Sequence, residues 1–256
     1  MEETNKKQVI ELACKAGKMV LENGGEIYRV EQTMTAVCSA YGVSLSESFA
    51  TPTIIMLSAP IANGESYSRM MRITERGINL NKVSAINDFS RKLPASVDDA
   101  FNALRAIDES TPYPIWVRVL ASSIGVGAFT VMFGGEVWDF AAGLILGALL
   151  RLVIIGLQKN RIGDFVVNLV GGATAAFGGW LISNIDLVSS QWIVTVSTTM
   201  LLVPGLLFTN ALRDIAAGDL VSGSSRAIEV LSIATALACG AIAVYAVLAL
   251  IGGGLP

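Results

Sequence analysis

Residues 230–251 read VLSIATALACGAIAVYAVLALI, twenty-two consecutive positions without a charged side chain. A helix of that length rises about 33 Å at 1.5 Å per residue, enough to cross a hydrocarbon core of about 30 Å. A soluble helix this long would keep a polar face. Working back from it, further apolar stretches occupy about 115–133, 138–158, 164–184 and 191–209, and the last extends over about 227–252. The expected fold is an α-helical membrane protein with five transmembrane helices in residues 113–256. A cytoplasmic mixed α/β domain precedes them in residues 1–112.

Composition divides the chain at the same place. Hydrophobic residues make up 53% and charged residues 15%, against roughly 25% charged in soluble domains. Residues 1–114 hold 12 of the 18 Lys and Arg and 14 of the 21 Asp and Glu, so the deficit lies almost wholly beyond Thr111-Pro112-Tyr113-Pro114. The net charge of −3 offers no basic footprint for nucleic acid. Histidine is absent, which removes Ser-His and Cys-His catalysis and His-ligated zinc. Cys14, Cys38 and Cys239 are far apart in apolar helical patterns and read as reduced packing residues. Neither a metal nor a cofactor is expected, and no P-loop or dinucleotide fingerprint is present.

Loop charge sets the expected orientation. No signal-peptide pattern opens the chain, so the first domain is expected to stay in the cytoplasm. The connections then facing outward, 134–139 and 183–191, carry Glu136, Asp139 and Asp186 and no Lys or Arg. Those facing inward carry Lys159, Arg161, Arg213 and Arg226. This is the positive-inside pattern, and five crossings put the C-terminus outside.

In the first domain, Val9, Leu12, Ala13, Ala16, Met19 and Val20 recur at helical spacing up to the stop Asn23-Gly24-Gly25. A second helix is expected from Glu26 to Gly42. β-type sequence follows at 43–50, 53–57 and 67–74, with Asn63-Gly64 placed as a hairpin turn. Helices are then expected over 82–93 and 96–107, the latter capped by Ser96 with Asp98 and Asp99 in its first turn. The order predicted is α-α-β-β-β-α-α.

Candidate binding residues cluster around one anomaly. Pro204 lacks a backbone N–H and Gly205 weakens the helix beside it, so the stretch 191–209 should kink or break. Irregular backbone at membrane depth persists only where it lines a cavity or is buried in protein, and broken helices build substrate sites in transporters. Asn210, Arg213 and Asp214 follow the break, and Thr195, Ser197, Thr198 and Thr199 precede it. Asn168 and Arg151 come from other spans. A carboxylate-bearing substrate would be attracted by Arg213, Arg151 or the half-helix dipole near Gly205, with Asp214 or Glu229 as a proton-coupled carboxylate. The bland alternative is a packing kink, hydroxyls that bond back to their own helices, and an Arg151 that snorkels. Small residues at Ser123/Gly127, Gly143/Gly147 and Gly171/Ala175/Gly179 mark close helix packing. In the first domain Glu26, Arg29 and Arg76 stand out, with a solvated helix start and a strand exit as their bland readings.

These stretches carry a resemblance. Gly24-Gly25-Glu26-Ile27-Tyr28-Arg29-Val30-Glu31, Arg76-Gly77-Ile78-Asn79-Leu80, Tyr113-Pro114-Ile115-Trp116, Gly134-Gly135, and Leu202-Val203-Pro204-Gly205 with Asn210, Arg213-Asp214, Gly218, Gly223 and Arg226 run in one order along the whole chain. In that order the chain resembles the threonine/serine exporter family, and most closely the short N-terminal-half subunits of its two-component members. The resemblance implies a second small five-helix membrane subunit, and substrates such as threonine, serine or small dicarboxylates like succinate. It also implies export driven by an ion gradient rather than enzyme activity. Self-association stays open. A hydrolase is disfavoured by the missing histidine. The remaining rival is a membrane-anchored sensor or scaffold whose first domain binds a ligand or partner, although one apolar helix would suffice to tether it.

Overall fold

A computed structural model describes residues 3–61, 65–111, 113–184 and 190–251. The expected hairpin turn at Asn63-Gly64, together with Pro112, Asp186 and residues 252–256, lies outside that description. The chain forms two compact units. The first comprises Met1–Thr111 and Leu206–Ala227, and the second Pro112–Gly205 and Ile228–Pro256.

In the first unit, α1 (Glu3–Glu22) and α2 (Ile27–Ala40) precede three strands, β1 (Glu47–Thr51), β2 (Ile54–Pro60) and β3 (Ser66–Arg72). Then come α3 (Leu80–Arg91) and α4 (Val97–Asp108). The sheet is antiparallel in the order β1-β2-β3, with Glu47 opposite Ser58 and Ile54 opposite Arg72. Along β2, Ile55, Leu57 and Ala59 point inward while Met56 faces out, the period-two alternation of a sheet covered on one face. Helix α1 covers that face. It touches β2, β3, α2, α3 and α4, and Val9, Ile10, Leu12, Ala13, Cys14 and Ala16 are fully buried. Burial in this core pushes the Cys14 thiol up to about 12, so it packs as an inert apolar group.

The first strand starts later than its alternating pattern suggests. Gly42 and Leu45 both take positive φ, at 72° and 58°. A left-handed residue cannot continue an extended run, so 43–46 is a loop and Leu45 is exposed. Helix α4 is capped by Ser96 as its sequence suggests, and α3, which starts two residues before the expected 82, is capped by Asn79: the two side chains accept from the backbone N–H of Asp99 and Lys82 at 3.2 Å.

The second unit contains α5 (Ile115–Met132), α6 (Val137–Lys159), α7 (Asp164–Ser183) and α8 (Gln191–Thr199). It also contains the later part of α10 (Leu220–Leu250). Among the described residues, four helices, α5, α6, α7 and α10, are long and apolar enough to cross a membrane. Helices α5 and α6 pack closely because α6 carries glycine where they meet. A Cβ on Gly147 would stand 2.7 Å from the Ser122 carbonyl oxygen, and the Ser123 hydroxyl donates to the Leu144 carbonyl at 2.7 Å. Cys14 and Cys38 are buried and Cys239 is exposed, all as free thiols. Cys239 therefore does not pack in the interior, because it lies on the outer face of α10.

The stretch 191–209 is not one helix. α8 has nine residues, rising about 14 Å, and α9 (Gly205–Ala216) starts afresh. At the end of α8 the ladder tightens to i→i−3 bonds, Leu201 to Thr198 and Leu202 to Thr199. Pro204, which has no N–H to donate, then ends it. Residues 206–227, read from sequence as part of the membrane region, belong to the first compact unit.

Candidate functional site

The site is built on the turn between α1 and α2. Gly24 N–H donates to Leu21 and Gly25 N–H to Val20, the paired bonds of a Schellman cap. They require the left-handed backbone that Gly24 takes at φ +90°. The loop before α3 lies on this turn. Gly77 N–H donates to the Glu22 carbonyl at 2.8 Å and Asn79 N–H to the Asn23 carbonyl at 3.0 Å. The cap thus leaves the Gly24 and Gly25 carbonyls for other donors.

Those donors come from α9 and the start of α10. The Asn210 amide donates to the Gly24 carbonyl at 3.5 Å, and the Arg226 guanidinium to the Gly25 carbonyl at 3.1 Å. The Glu26 carboxylate accepts from Arg213 Nη1 at one oxygen and from Arg29 Nε at the other, both at 2.7 Å. Asp214 and Arg226 face each other at 3.4 Å, each with a side chain only 4% exposed. The Ser222 hydroxyl donates to the Ala50 carbonyl at 3.5 Å, while Ala50 N–H donates to Glu31 at 2.9 Å.

The two ionic links differ in weight. Arg213 is 54% exposed, so its bond to Glu26 is worth about 0–1 kcal/mol and orients more than it stabilises. Asp214–Arg226 is buried, and losing one partner of such a pair costs about 3–5 kcal/mol. Burial pushes the Asp214 carboxyl above the usual carboxylate range. The Arg226 charge opposes that shift, and Asp219 and Glu26 add to it. Burial acts on Glu26 in the same sense, but hydrogen bonds from Arg29 and its own N–H, with the Arg29 and Arg213 charges, hold it below that range.

In the second unit, the Thr198 hydroxyl donates to the Val194 carbonyl at 2.7 Å and the Asn168 amide to the Asp164 carbonyl at 2.8 Å, each on its own helix. Ser197 is fully buried on α8. Its Oγ, together with Thr195 Oγ1 and Arg151 Nε, has no hydrogen-bond partner among the described residues. Orphaned polar atoms are costly in a low-dielectric interior, and each calls for an explanation. Among the described residues no three His, Cys, Asp or Glu side chains gather to hold a metal ion.

Residues 11–248 match the family described as "Putative threonine/serine exporter". The chain belongs to the threonine/serine exporter family. Two relatives each carry the name "Probable succinate transporter subunit YjjP". The one from Klebsiella aerogenes is 23% identical over 229 residues, covering 88% of both chains. The one from Escherichia coli K12 is 23% identical over 230 residues, covering 88% of this chain and 89% of its own. No solved structure matches.

In this exporter-family chain, three separated motifs meet at one turn. Glu26 and Arg29, the Arg76–Asn79 loop, and Asn210, Arg213 and Asp214 all lie around Gly24 and Gly25. Pro204 sits in the break and Gly205 opens α9, while Arg151, Asn168 and Thr198 lie in the second unit. The expected residue set therefore divides between the two units. Arg226 stands out in the sequence as a motif residue and as an inward-facing loop charge, and its burial against Asp214 has no local signal. Arg91 and Asn87, which line a cleft beside Arg29, belong to no motif.

Proposed function

We propose that this chain is one subunit of a secondary exporter for small polar metabolites, of the threonine and serine type or small dicarboxylates such as succinate. A second small membrane subunit completes it and an ion gradient drives it. It acts in the inner membrane as a transporter, not an enzyme. The succinate named for its relatives makes that dicarboxylate the first solute to try.

The observation that carries this reading is the interruption between α8 and α9. It follows the orphaned hydroxyls Thr195 and Ser197, as expected where an unwound segment contacts a polar solute. Arg151 supplies a cation of the right sign for a carboxylate, and Asp214, shifted toward neutrality by burial, suits a proton-coupled group.

The first unit also supports five crossings by parity. Its two pieces, ending at Thr111 and resuming at Leu206, share one compact body and so one side of the membrane. The chain between them crosses an even number of times. Helices α5, α6 and α7 supply three crossings, so 190–205 supplies the fourth. α10 then supplies the fifth, which puts the two termini on opposite sides, and loop charge assigns the N-terminus to the cytoplasm and the C-terminus to the outside.

Efflux tests the reading. Vesicles holding this chain and its partner subunit should release labelled succinate, threonine or serine faster than vesicles lacking the chain. No acceleration for any of the three would overturn it.

A further inference from the structure

Between α2 and α3 the first unit opens a cleft of about 310 Å³, with walls that include Tyr28, Arg29, Gln32, Asn87, Ser90 and Arg91. That volume lies at the lower end of small-ligand sites, suited to a metabolite of few heavy atoms. The lining carries two guanidinium groups, a phenol, two amides and two aliphatic hydroxyls, Thr33 and Ser90, and no carboxylate. Arg91 has no ion-pair partner among the described residues. Arg29 is held in place by Glu26 at Nε, and its Nη2 reaches the Tyr28 hydroxyl at 3.3 Å. A fixed guanidinium and an uncommitted one facing the same polar cleft are suited to an oxyanion, since Arg presents paired donors to carboxylate and phosphate oxygens.

The cleft is also wired to α9. Glu26 is shared between Arg29, at the cleft wall, and Arg213 on α9. An oxyanion drawn to Arg29 competes with Glu26 for that cation and leaves Glu26 to Arg213. Helix α9 starts immediately after Pro204, so a change in how firmly it is held reaches the first residues beyond the break.

We propose that the α2–α3 cleft is a second, regulatory binding site for a small metabolite bearing a carboxylate or phosphate oxyanion, read by α9 through the chain Arg29–Glu26–Arg213. The cleft lies in the first unit, whereas Thr195, Ser197 and Arg151 belong to the second. Only its sampling of the cytosolic pool rests on the exporter reading.

Hydrogen exchange followed by mass spectrometry on the full-length chain in detergent tests this, with succinate, threonine and inorganic phosphate as separate probes. At least one probe should slow exchange in peptides covering 28–36 and 85–91. Succinate or threonine acting alone would identify a carboxylate ligand, and phosphate acting alone a phosphate ligand. Arg91→Ala removes an exposed side chain, and an unchanged melting temperature would verify that it leaves the fold intact. It should weaken the protection about tenfold or more. In Glu26→Gln the cleft should still bind while exchange in 206–216 stops responding to the probe. Absence of protection at the cleft with all three probes, or undiminished protection in Arg91→Ala, would overturn the site. An unchanged α9 response in Glu26→Gln would overturn the relay. Cleft protection in a protein that exports nothing would count against the exporter reading alone.

Discussion

Arg213 donates to the carboxylate of Glu26 at 2.7 Å, although the two residues stand 187 positions apart. The bond ties α9, which begins at the break after α8, to the turn between α1 and α2. Both residues belong to the first compact unit, so the segment 206–227 is part of that body and not a simple loop between membrane helices.

Because Arg213 is half-exposed, Arg213→Ala should change the unfolding midpoint little, by less than about 1 kcal/mol. Export should nevertheless be lost, because the charge beside Glu26 is gone. Parallel measurements of thermal unfolding in detergent and of efflux in vesicles separate the two effects. Normal efflux from the variant would remove Arg213 from the mechanism.

Asp214 tests the buried pair. Asp214→Ala leaves Arg226 buried beside an empty space and should destabilise the first unit by about 3–5 kcal/mol. Replacing both, as Asp214→Leu with Arg226→Met, should recover much of that loss, because the uncompensated charge goes with it. Chemical denaturation monitored in 1–111 and 206–227 would check the order. A single variant as stable as the parent would contradict the burial of the pair.

A matched pair of glycines on α6 tests helix packing. A Cβ on Gly147 would crowd the Ser122 carbonyl, whereas one on Gly156 meets nothing within 4 Å. Gly147→Ala should cost about 1–3 kcal/mol, or force α5 and α6 apart. Gly156→Ala should leave stability unchanged or raise it by up to about 1 kcal/mol. Equal melting temperatures for the two variants would refute the close approach.

Glu26 gives a pH signature of definite sign. Its carboxyl is held below the usual range in the folded chain. Its stabilising contribution is therefore complete above the ordinary Glu value of about 4.3 and is lost as pH falls through the lower folded value. The stability gap between the parent and Glu26→Gln should be largest near neutrality and close on acidification. Asp214 has the opposite sign: its folded pKa is raised, so its titration lowers stability as pH rises through that value. Unfolding midpoints of the parent and Glu26→Gln measured across acid pH decide this, and a gap that ignores pH would disprove it.

Topology can be read with single cysteines in a chain freed of Cys239. Labels at Glu109→Cys and Ala217→Cys should react from the same side of sealed vesicles, and Val137→Cys from the other. Labelling of the first two from opposite faces would break the parity argument.

Much of this architecture is local. Helical spacing in 9–20, the stop at Asn23-Gly24-Gly25, the Ser96 cap and the uncharged run 230–251 each depend on residues within a few turns. They can therefore be read in order along the chain, and the order α-α-β-β-β-α-α is that of α1 to α4. Pro204 marks its break for the same reason, since a missing N–H acts where it stands. The alternation over 43–50 does not make a strand at Leu45, because alternation specifies a face and not φ. What the tertiary structure alone decided is which distant groups meet: Arg213 with Glu26, Arg226 with Gly25 and Asp214, and Arg91 with Arg29 across a cleft. No periodicity encodes such encounters. They arise when hydrophobic burial of α1 and the return of 206–227 bring chain segments together, and the charges then pair where burial has placed them.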